Sequence, residues 1–366
     1  MSYVYCNVDK LRAFCEKIFI RYGFSAQEAK DIVDVLITAD LFGIESHGVQ
    51  RMVRYADALN NGFIDPKASV CTVFETPCSA VWDATKTMGQ IISISAMKFA
   101  IQKAREYGFG IVTVKNSNHF GIAGYYTLMA AEEDMLGICM TNTEAIAIPT
   151  NGKKAMLGTS PIAVCMPADP IPFWYDAATT VVTRGKLEVY QKAEKPLPAG
   201  WAADENGISC TEAKQIIRNI CDKKGGGIFP LGGEHEISGS HKGYGLGIIV
   251  ELFTSIFSGG TTSPHVQNNG NADTSFCFMA MDYGMFGNKC EIKNRVSALL
   301  QELRESPHAE GCERVFTHGE KEWLSKTQVE KNGIPVQEKT VYELQQIAQE
   351  LGVVIKEDPF GLKDLS

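Results

Sequence analysis

No Cys-x-x-Cys pair occurs in the 366 residues, although there are 11 cysteines. Zinc ribbons and dithiol redox motifs need closely spaced thiols, so neither is encoded here. The nearest pair, Cys71 and Cys78, flanks a segment containing Pro77, and most others sit in apolar runs such as Ile138-Cys139-Met140. That usage predicts reduced, buried thiols of a cytoplasmic protein rather than a disulfide frame. The opening MSYVYCNVDK has no basic stretch followed by an apolar one, so no secretory leader is expected. Long hydrophobic runs are missing too. The best helical candidate, Tyr244 to Phe257, carries Glu251 and falls short of the ~20 residues a membrane span needs. Positive charge is in deficit, with 35 Lys and Arg against 43 Asp and Glu for a net charge of -8, which argues against a nucleic-acid partner. No Gly-x-Gly-x-x-Gly, no phosphate loop and no Gly-x-Ser-x-Gly elbow is found, which removes the Rossmann fingerprint, the P-loop and the serine-hydrolase nucleophile.

What is present is an ordinary globular composition, 45% hydrophobic and 21% charged, in a chain long enough for two domains or one with a helical appendage. Residues 7 to 60 are helical by pattern. Asn7 caps a first helix, and Ser25-x-x-Glu28 forms a capping box for a second that reaches about Asp40. Val49 to Leu59 reads as a third helix capped by Ser46, which places His47 and Arg51 on one face. Strand and turn material follows to residue 90, then an amphipathic helix over Ile91 to Tyr107 ending at Gly108. Lys242 onward is expected to begin a buried helix, and Thr261 to Thr274 to form a polar loop. Residues 191 to 209 read as an exposed connection, and Thr340-x-x-Glu343 as a capping box for the last helix.

The most informative stretch is Gly108 to Leu128, GFGIVTVKNSNHFGIAGYYTL. An apolar β-branched run ends in a polar Asn-Ser-Asn-His loop and then opens a helix through Gly121 and Gly124, whose small size lets another group approach the backbone. A lone histidine there would ordinarily be structural. A second one, His47, in a similar setting upstream favours a functional pair. Arg51 beside His47 offers a bidentate fork for a carboxylate while an imidazole exchanges a proton, although on spacing alone a surface pairing of Arg51 with Asp57 or Glu45 is the more ordinary reading. Ser240-His241-Lys242-Gly243 opens a helix whose free N–H groups and lysine can hold a phosphate, and Gly243 and Gly247 also permit a close crossing. His235 and His241 with Glu234 and Glu236 match no metal-ligand spacing, so no metal is expected.

Together, Ser46-His47-Gly48-Val49-x-Arg51, Asn116-Ser-Asn-His119-Phe-Gly-x-Ala-Gly-Tyr, Thr141-Asn142-Thr143, Leu157-Gly-Thr-Ser-Pro161, Gly185-Lys186-Leu-Glu-Val-Tyr190 and His241-Lys-Gly-Tyr-Gly-Leu246 run in order across nearly the whole chain. In these motifs the sequence resembles the malate/L-lactate dehydrogenase family, and within it the malate dehydrogenase branch. The resemblance implies an α/β, non-Rossmann mixed sheet with a helical domain formed from both chain ends, residues 1–75 and 291–366, around a cofactor-binding and catalytic domain at 76–290. It implies a homodimer, and an NAD(P)-dependent 2-hydroxyacid dehydrogenase with NAD as cofactor, NADP remaining possible, and malate as substrate. Another 2-oxo or cyclic imino acid reductase in the same fold, or a non-catalytic dimeric scaffold, are the alternatives. His47 and His119 would be catalytic, with Ser46, Arg51 and Asn118 holding a small carboxylate substrate. Thr143, Asp176, Ala177, Ala178, Thr180, Lys242, Gly243, Gly319 and Glu320 would contact the cofactor. One departure stands out, because the family usually carries Asn where this chain has Ser160.

Overall fold

The computed structural model describes residues 2–267, 272–354 and 360–361; the middle of the polar loop expected after Thr261 lies outside them. The chain opens with β1 (Tyr3–Cys6), α1 (Val8–Arg21), α2 (Ala26–Leu41) and α3 (Met52–Asn60). It continues through β2 (Cys71–Glu75), β3 (Ser79–Asp83), α4 (Gly89–Tyr107), β4 (Phe109–Ser117), α5 (Ala123–Glu132), β5 (Leu136–Thr141), β6 (Ile162–Met166) and β7 (Phe173–Ala177). A smaller insertion holds α6 (Arg184–Lys192), β8 (Ala202–Ala203), α7 (Ala213–Cys221) and β9 (Gly227–Ile228). Then come α8 (Ser240–Glu251), a π-helical turn over Leu252–Ile256, β10 (Thr274–Met281), α9 (Lys289–Glu305), α10 (Glu320–Asn332), β11 (Ile334–Gln337) and α11 (Glu338–Glu350).

The main sheet has seven strands in the order β2-β3-β4-β10-β5-β6-β7. Only β3 and β4 run parallel, and every other neighbouring pair is antiparallel. A doubly wound nucleotide fold needs parallel strands joined by helical crossovers. This sheet is therefore mixed and non-Rossmann, as its missing glycine fingerprint predicts. β10 shows why the sheet has two buried faces: Phe276 and Phe278 join Val112, Val114, Phe120 and Tyr126 under α4 and α5, while Cys277 and Met279 join Met140 and Val250 under α8. Side chains alternate along a strand, so one run of apolar residues serves both cores. Each phenylalanine so buried contributes about 2 kcal/mol of hydrophobic stabilisation.

Asn7 and Ser25 cap their helices as read from sequence, and Glu28 completes the reciprocal box with the Ser25 N–H. The two chain ends share one apolar cluster, in which Leu11, Phe14, Ile18, Leu36 and Tyr55 meet Ile334, Val336, Leu344 and Phe360. β1 pairs antiparallel with β11 at its edge. By contrast α9 lies against the sheet side, where Ser297 Oγ accepts from the Asp169 N–H and Lys293 pairs with Asp169 at 3.1 Å.

Four local expectations are corrected. Residues 45–51 are not the first turns of α3 but two 3₁₀ turns, Glu45–His47 and Val49–Arg51, joined at an extended Gly48. The buried Asp40 carboxyl accepts the Val49 N–H at 2.9 Å, and a Cβ on Gly48 would stand 1.7 Å from Asp40 Oδ1. This docking on α2 outcompetes the Ser46 cap, so His47 and Arg51 do not share an α-helical face. Thr340 lies inside α11, which begins at Glu338 with no side-chain cap. The 191–209 segment buries Leu197 and Ala202 in a small core with Leu187 of α6 and Ile216 of α7, because the flanking helices supply an apolar face. Finally α8 and the π-helical turn that continues it are not buried all round: Leu246, Ile249, Leu252 and Ile256 are exposed at intervals of three or four residues, one stripe of the helix surface.

Candidate active site

The strand register explains which loops meet. Thr274, at the start of β10, pairs with Ser117 at the end of β4, and Phe276 pairs with Thr141 at the end of β5. Met140 pairs with Ile162, and Ile162 with Ala177. One edge of the sheet therefore carries the exits Asn118-His119, Asn142-Thr143 and Ala177-Ala178, together with the Ser160 turn.

His119 leaves that edge toward the helical layer. Gly89, first residue of α4, makes the approach possible, since a Cβ there would sit 2.4 Å from the Asn118 carbonyl oxygen and 2.5 Å from that of His119. Asn118 is buried and donates its amide to the Phe63 carbonyl at 3.2 Å, mooring the loop. Gly121 and Gly124 are tight for the reason the sequence implies: added Cβ atoms would stand 2.5 Å from Val35 Cγ1 and 2.1 Å from Trp174 Cζ2.

The imidazoles of His47 and His119 stack with centroids 5.4 Å apart and planes inclined by 26°. Ser46 Oγ lies 2.9 Å from His47 Nδ1, and Arg51 Nε donates to the Ser46 carbonyl at 2.5 Å. Burial, then the Arg51 and Arg54 charges, push the His47 imidazole down to about 3. Burial, followed by Arg54, His47 and Arg51, holds His119 well below the usual imidazole range. Both rings are thus neutral near pH 7. Among the described residues neither Arg51 nor Arg54 makes an ion pair, so the surface pairing with Asp57 or Glu45 does not form, although the Glu144 carboxylate acts on Arg54 through its charge. The charges of both guanidiniums act on two neutral imidazoles, an arrangement that an anion would neutralise.

Two residues escaped the sequence reading. Tyr55 OH lies 2.7 Å from His119 Nδ1, and Gln90 Nε2 donates to Tyr55 OH at 2.8 Å. Tyr55 reads as one more apolar residue of α3 and Gln90 as the last residue of the strand and turn material before the helix expected at Ile91. Only their burial, to 1% and 0% exposure, marks them.

The expected cofactor residues divide. Lys242 stands exposed at the start of α8 with no ion pair among the described residues, a free cation at a helix N-terminus. Gly243 is packed on Leu231, whose backbone N would be 2.3 Å from an added Cβ, so the close crossing is real. Ala177 and Ala178 are half-buried and small. Ser160 Oγ is fully buried and unpartnered, with φ at 41°, where Asn is better tolerated than Ser. These features suit a dinucleotide: a cation for its diphosphate, small side chains for its rings and an orphaned hydroxyl beside them. Other residues are already engaged. Thr143 Oγ1 accepts from the Thr159 N–H at 3.1 Å, and Thr180 Oγ1 donates to the Val182 carbonyl at 2.6 Å. Asp176 accepts the Gly124 N–H at 2.7 Å at the start of α5, and burial raises its carboxyl to about 6 against that bond. Gly319 packs on Trp174, three residues back along β7 from Ala177. The Glu320 carboxylate pairs with Arg314 at 2.7 Å and accepts the Thr317 N–H. No group of three or more His, Cys, Asp or Glu able to hold a metal ion occurs among the described residues.

A mixed sheet whose edge sets His119 against His47, Arg51 and Arg54 of the helical layer suits an oxidoreductase of small carboxylic acids outside the Rossmann class. The chain belongs to the malate/L-lactate dehydrogenase family, whose profile matches residues 6–345, and it is accordingly a 2-hydroxyacid dehydrogenase. It is 42% identical to a malate dehydrogenase of Pyrococcus abyssi over 96% of both chains. It is 36% identical to an L-sulfolactate dehydrogenase of Methanocaldococcus jannaschii, over 92% of this chain and 94% of that one. The solved malate dehydrogenase of Entamoeba histolytica superposes with a TM-score of 0.93 at 32% identity, covering 97% of this chain and 99% of the other.

Proposed function

We propose that this protein interconverts malate and oxaloacetate with NAD, the helical layer supplying His47, Arg51 and Arg54 and the sheet supplying His119. The observation that carries the reading is the unpaired Arg51–Arg54 pair beside the two neutral histidines. A dicarboxylate neutralises two cations where lactate would neutralise one, and the malate dehydrogenases among the relatives agree. Of the cations the sequence offers for the second carboxylate, Arg54 is favoured. Arg184 is already bonded to Glu188 at 3.0 Å, whereas Arg54 makes no ion pair, is acted on by Glu144 only through charge, and itself acts on both imidazoles.

A bound nicotinamide supplies or accepts the hydride at substrate C2. The protein residues do the rest. Arg51 clamps the carboxylate next to the reacting carbon and Arg54 the distal one. His47 takes the hydroxyl proton when the hydroxy acid is oxidised and returns it when the oxo acid is reduced. Its neutrality in the free protein suits the first direction. The arriving dianion offsets the arginine charges and makes the imidazolium accessible for the second. Lys242 and the α8 N-terminus would hold the diphosphate, with Thr143, Ala177, Ala178 and Ser160 around the rings. The lean to NAD over NADP rests on the malate branch alone.

We further propose a cytoplasmic homodimer, its contact including the exposed Leu246, Ile249, Leu252 and Ile256 stripe. The test is absorbance-followed reduction of oxaloacetate and pyruvate with NADH and NADPH. Clear preference for oxaloacetate supports the reading, and equal efficiency on the two acids removes malate as the substrate.

A further inference from the structure

Gln90 is the second residue of α4, fully buried, and sits where an apolar side chain would pack at lower cost. Its amide reaches only Tyr55, and Tyr55 reaches only Gln90 and His119. The direction of hydrogen bonding along this chain follows from a third donor. The Gly121 backbone N–H points at His119 Nδ1 from 3.4 Å. A ring nitrogen facing a fixed N–H is an acceptor, so it does not itself carry hydrogen. Tyr55 therefore donates its O–H to Nδ1. Its oxygen is then left to accept, and Gln90 must present its NH2 to it. Turning the amide over would set a carbonyl oxygen against the lone pairs of a phenol whose proton is already committed.

We infer that Gln90, acting through Tyr55 and together with the Gly121 N–H, is a positioning residue that holds His119 as the Nε2–H tautomer. Its part in the reaction is then hydrogen-bond donation to the reacting substrate oxygen, leaving proton exchange to His47. The inference rests on His119 facing the substrate, as in the proposed function, and sharpens it. A neutral imidazole whose Nδ1 is filled by two donors cannot serve as a base at Nε2, because that nitrogen already bears hydrogen. Nor is it a source of the proton. Giving up Nε2–H would require the Tyr55 proton to follow onto Nδ1 and leave a phenolate, and burial pushes that phenol up to about 12. The stacked His47 ring has no such chain behind it, only Ser46 Oγ in the middle of a 3₁₀ turn, whose hydroxyl can donate or accept. The two histidines are chemically unequal for a reason built into the packing. The positive end of α4, pressed by Gly89 against the His119 carbonyl, further disfavours an imidazolium there.

The experiment uses full-length protein labelled with ¹⁵N-histidine, read by long-range ¹H–¹⁵N correlation and paired with kinetics, comparing wild type, Gln90→Glu, Gln90→Met and Tyr55→Phe. Gln90→Glu keeps the shape but turns the donor into a carboxylate. It accepts the Tyr55 O–H hydrogen bond, leaves the phenol oxygen as the acceptor and drives His119 to Nδ1–H against the long 3.4 Å Gly121 contact. The expected results are a pyridine-like Nδ1 and a pyrrole-like Nε2 for His119 in wild type, the opposite pattern in Gln90→Glu, and about 100-fold lower kcat in that variant, with NADH dissociation constant unchanged. Gln90→Met and Tyr55→Phe, which remove the chain without reversing it, should lose less than Gln90→Glu. A merely structural role predicts that kcat falls only with stability while the His119 tautomer in Gln90→Glu stays that of the wild type, and that outcome would overturn the inference. So would Nδ1–H on His119 in the wild type. If Gln90→Glu reverses the tautomer and kcat does not fall, the inference's catalytic half fails together with the placing of His119 at the reacting oxygen. The tautomer measurement stands apart from both.

Discussion

His47 and His119 come from opposite layers of the molecule and stack 5.4 Å apart, both held neutral by burial and by the same two arginines. His47 can take a proton and His119 can donate a hydrogen bond because neither ring is already an ion, and that sets the expectations below.

Removing either imidazole should abolish turnover without loss of fold. His47→Ala and His119→Ala are expected to keep wild-type circular dichroism and NADH affinity while kcat falls about 100- to 10,000-fold. Near-wild-type kcat in either variant would remove that residue from the chemistry.

Arg51 and Arg54 divide the substrate between them. Arg51→Lys keeps charge but loses the bidentate fork, and kcat/KM should fall for oxaloacetate and pyruvate alike. Arg54→Leu should lower kcat/KM for oxaloacetate only, by about 100-fold, shrinking its advantage over pyruvate. Steady-state kinetics on both acids decides it. An unchanged ratio in Arg54→Leu would assign the distal carboxylate to another group.

Asp40 should make stability fall as pH rises. Burial raises its carboxyl from 3.8 to about 8 in the folded protein, opposed in part by the bond from the Val49 N–H. The folded state therefore holds a proton that the unfolded chain releases above pH 4. This contribution is fully present below pH 4 and is lost as pH climbs from 4 toward 8, by up to ~1.4 kcal/mol per unit. Asp40→Asn keeps an acceptor for Val49 and removes the titration. Urea melts of both proteins at pH 5 and pH 8 should show wild type losing ground to the variant at the higher pH; parallel changes would show that Asp40 is ionised throughout.

Ser160 should be replaceable at a gain. Its hydroxyl is buried without a partner, and an unsatisfied group of this kind costs about 1–3 kcal/mol. Ser160→Ala leaves the φ of 41° in place and removes only the hydroxyl, so denaturation of the cofactor-free protein should show ~1 kcal/mol more stability. A loss of stability would mean that the oxygen is satisfied in solution.

Much of the molecule is legible without coordinates, and the boundary is physical. Asn7 and Ser25 cap their helices because a cap needs only residues within one turn. The missing glycine fingerprint excludes the parallel nucleotide fold, and the ordered motifs identify the family, since both are properties of the string. Ser46 reads equally well as a cap, yet Asp40, from the preceding helix, takes the Val49 N–H and breaks the segment into 3₁₀ turns. That contest between a local bond and one across two elements is decided by packing. The same holds for the site. The sequence names both histidines and Arg51, but that they meet depends on the register that sets β10 between β4 and β5 and on Gly89 admitting the His119 loop. What stands behind His119 is invisible in the string altogether, because Tyr55 and Gln90 come from two other helices and acquire their meaning from a hydrogen-bond direction that exists only once water is excluded.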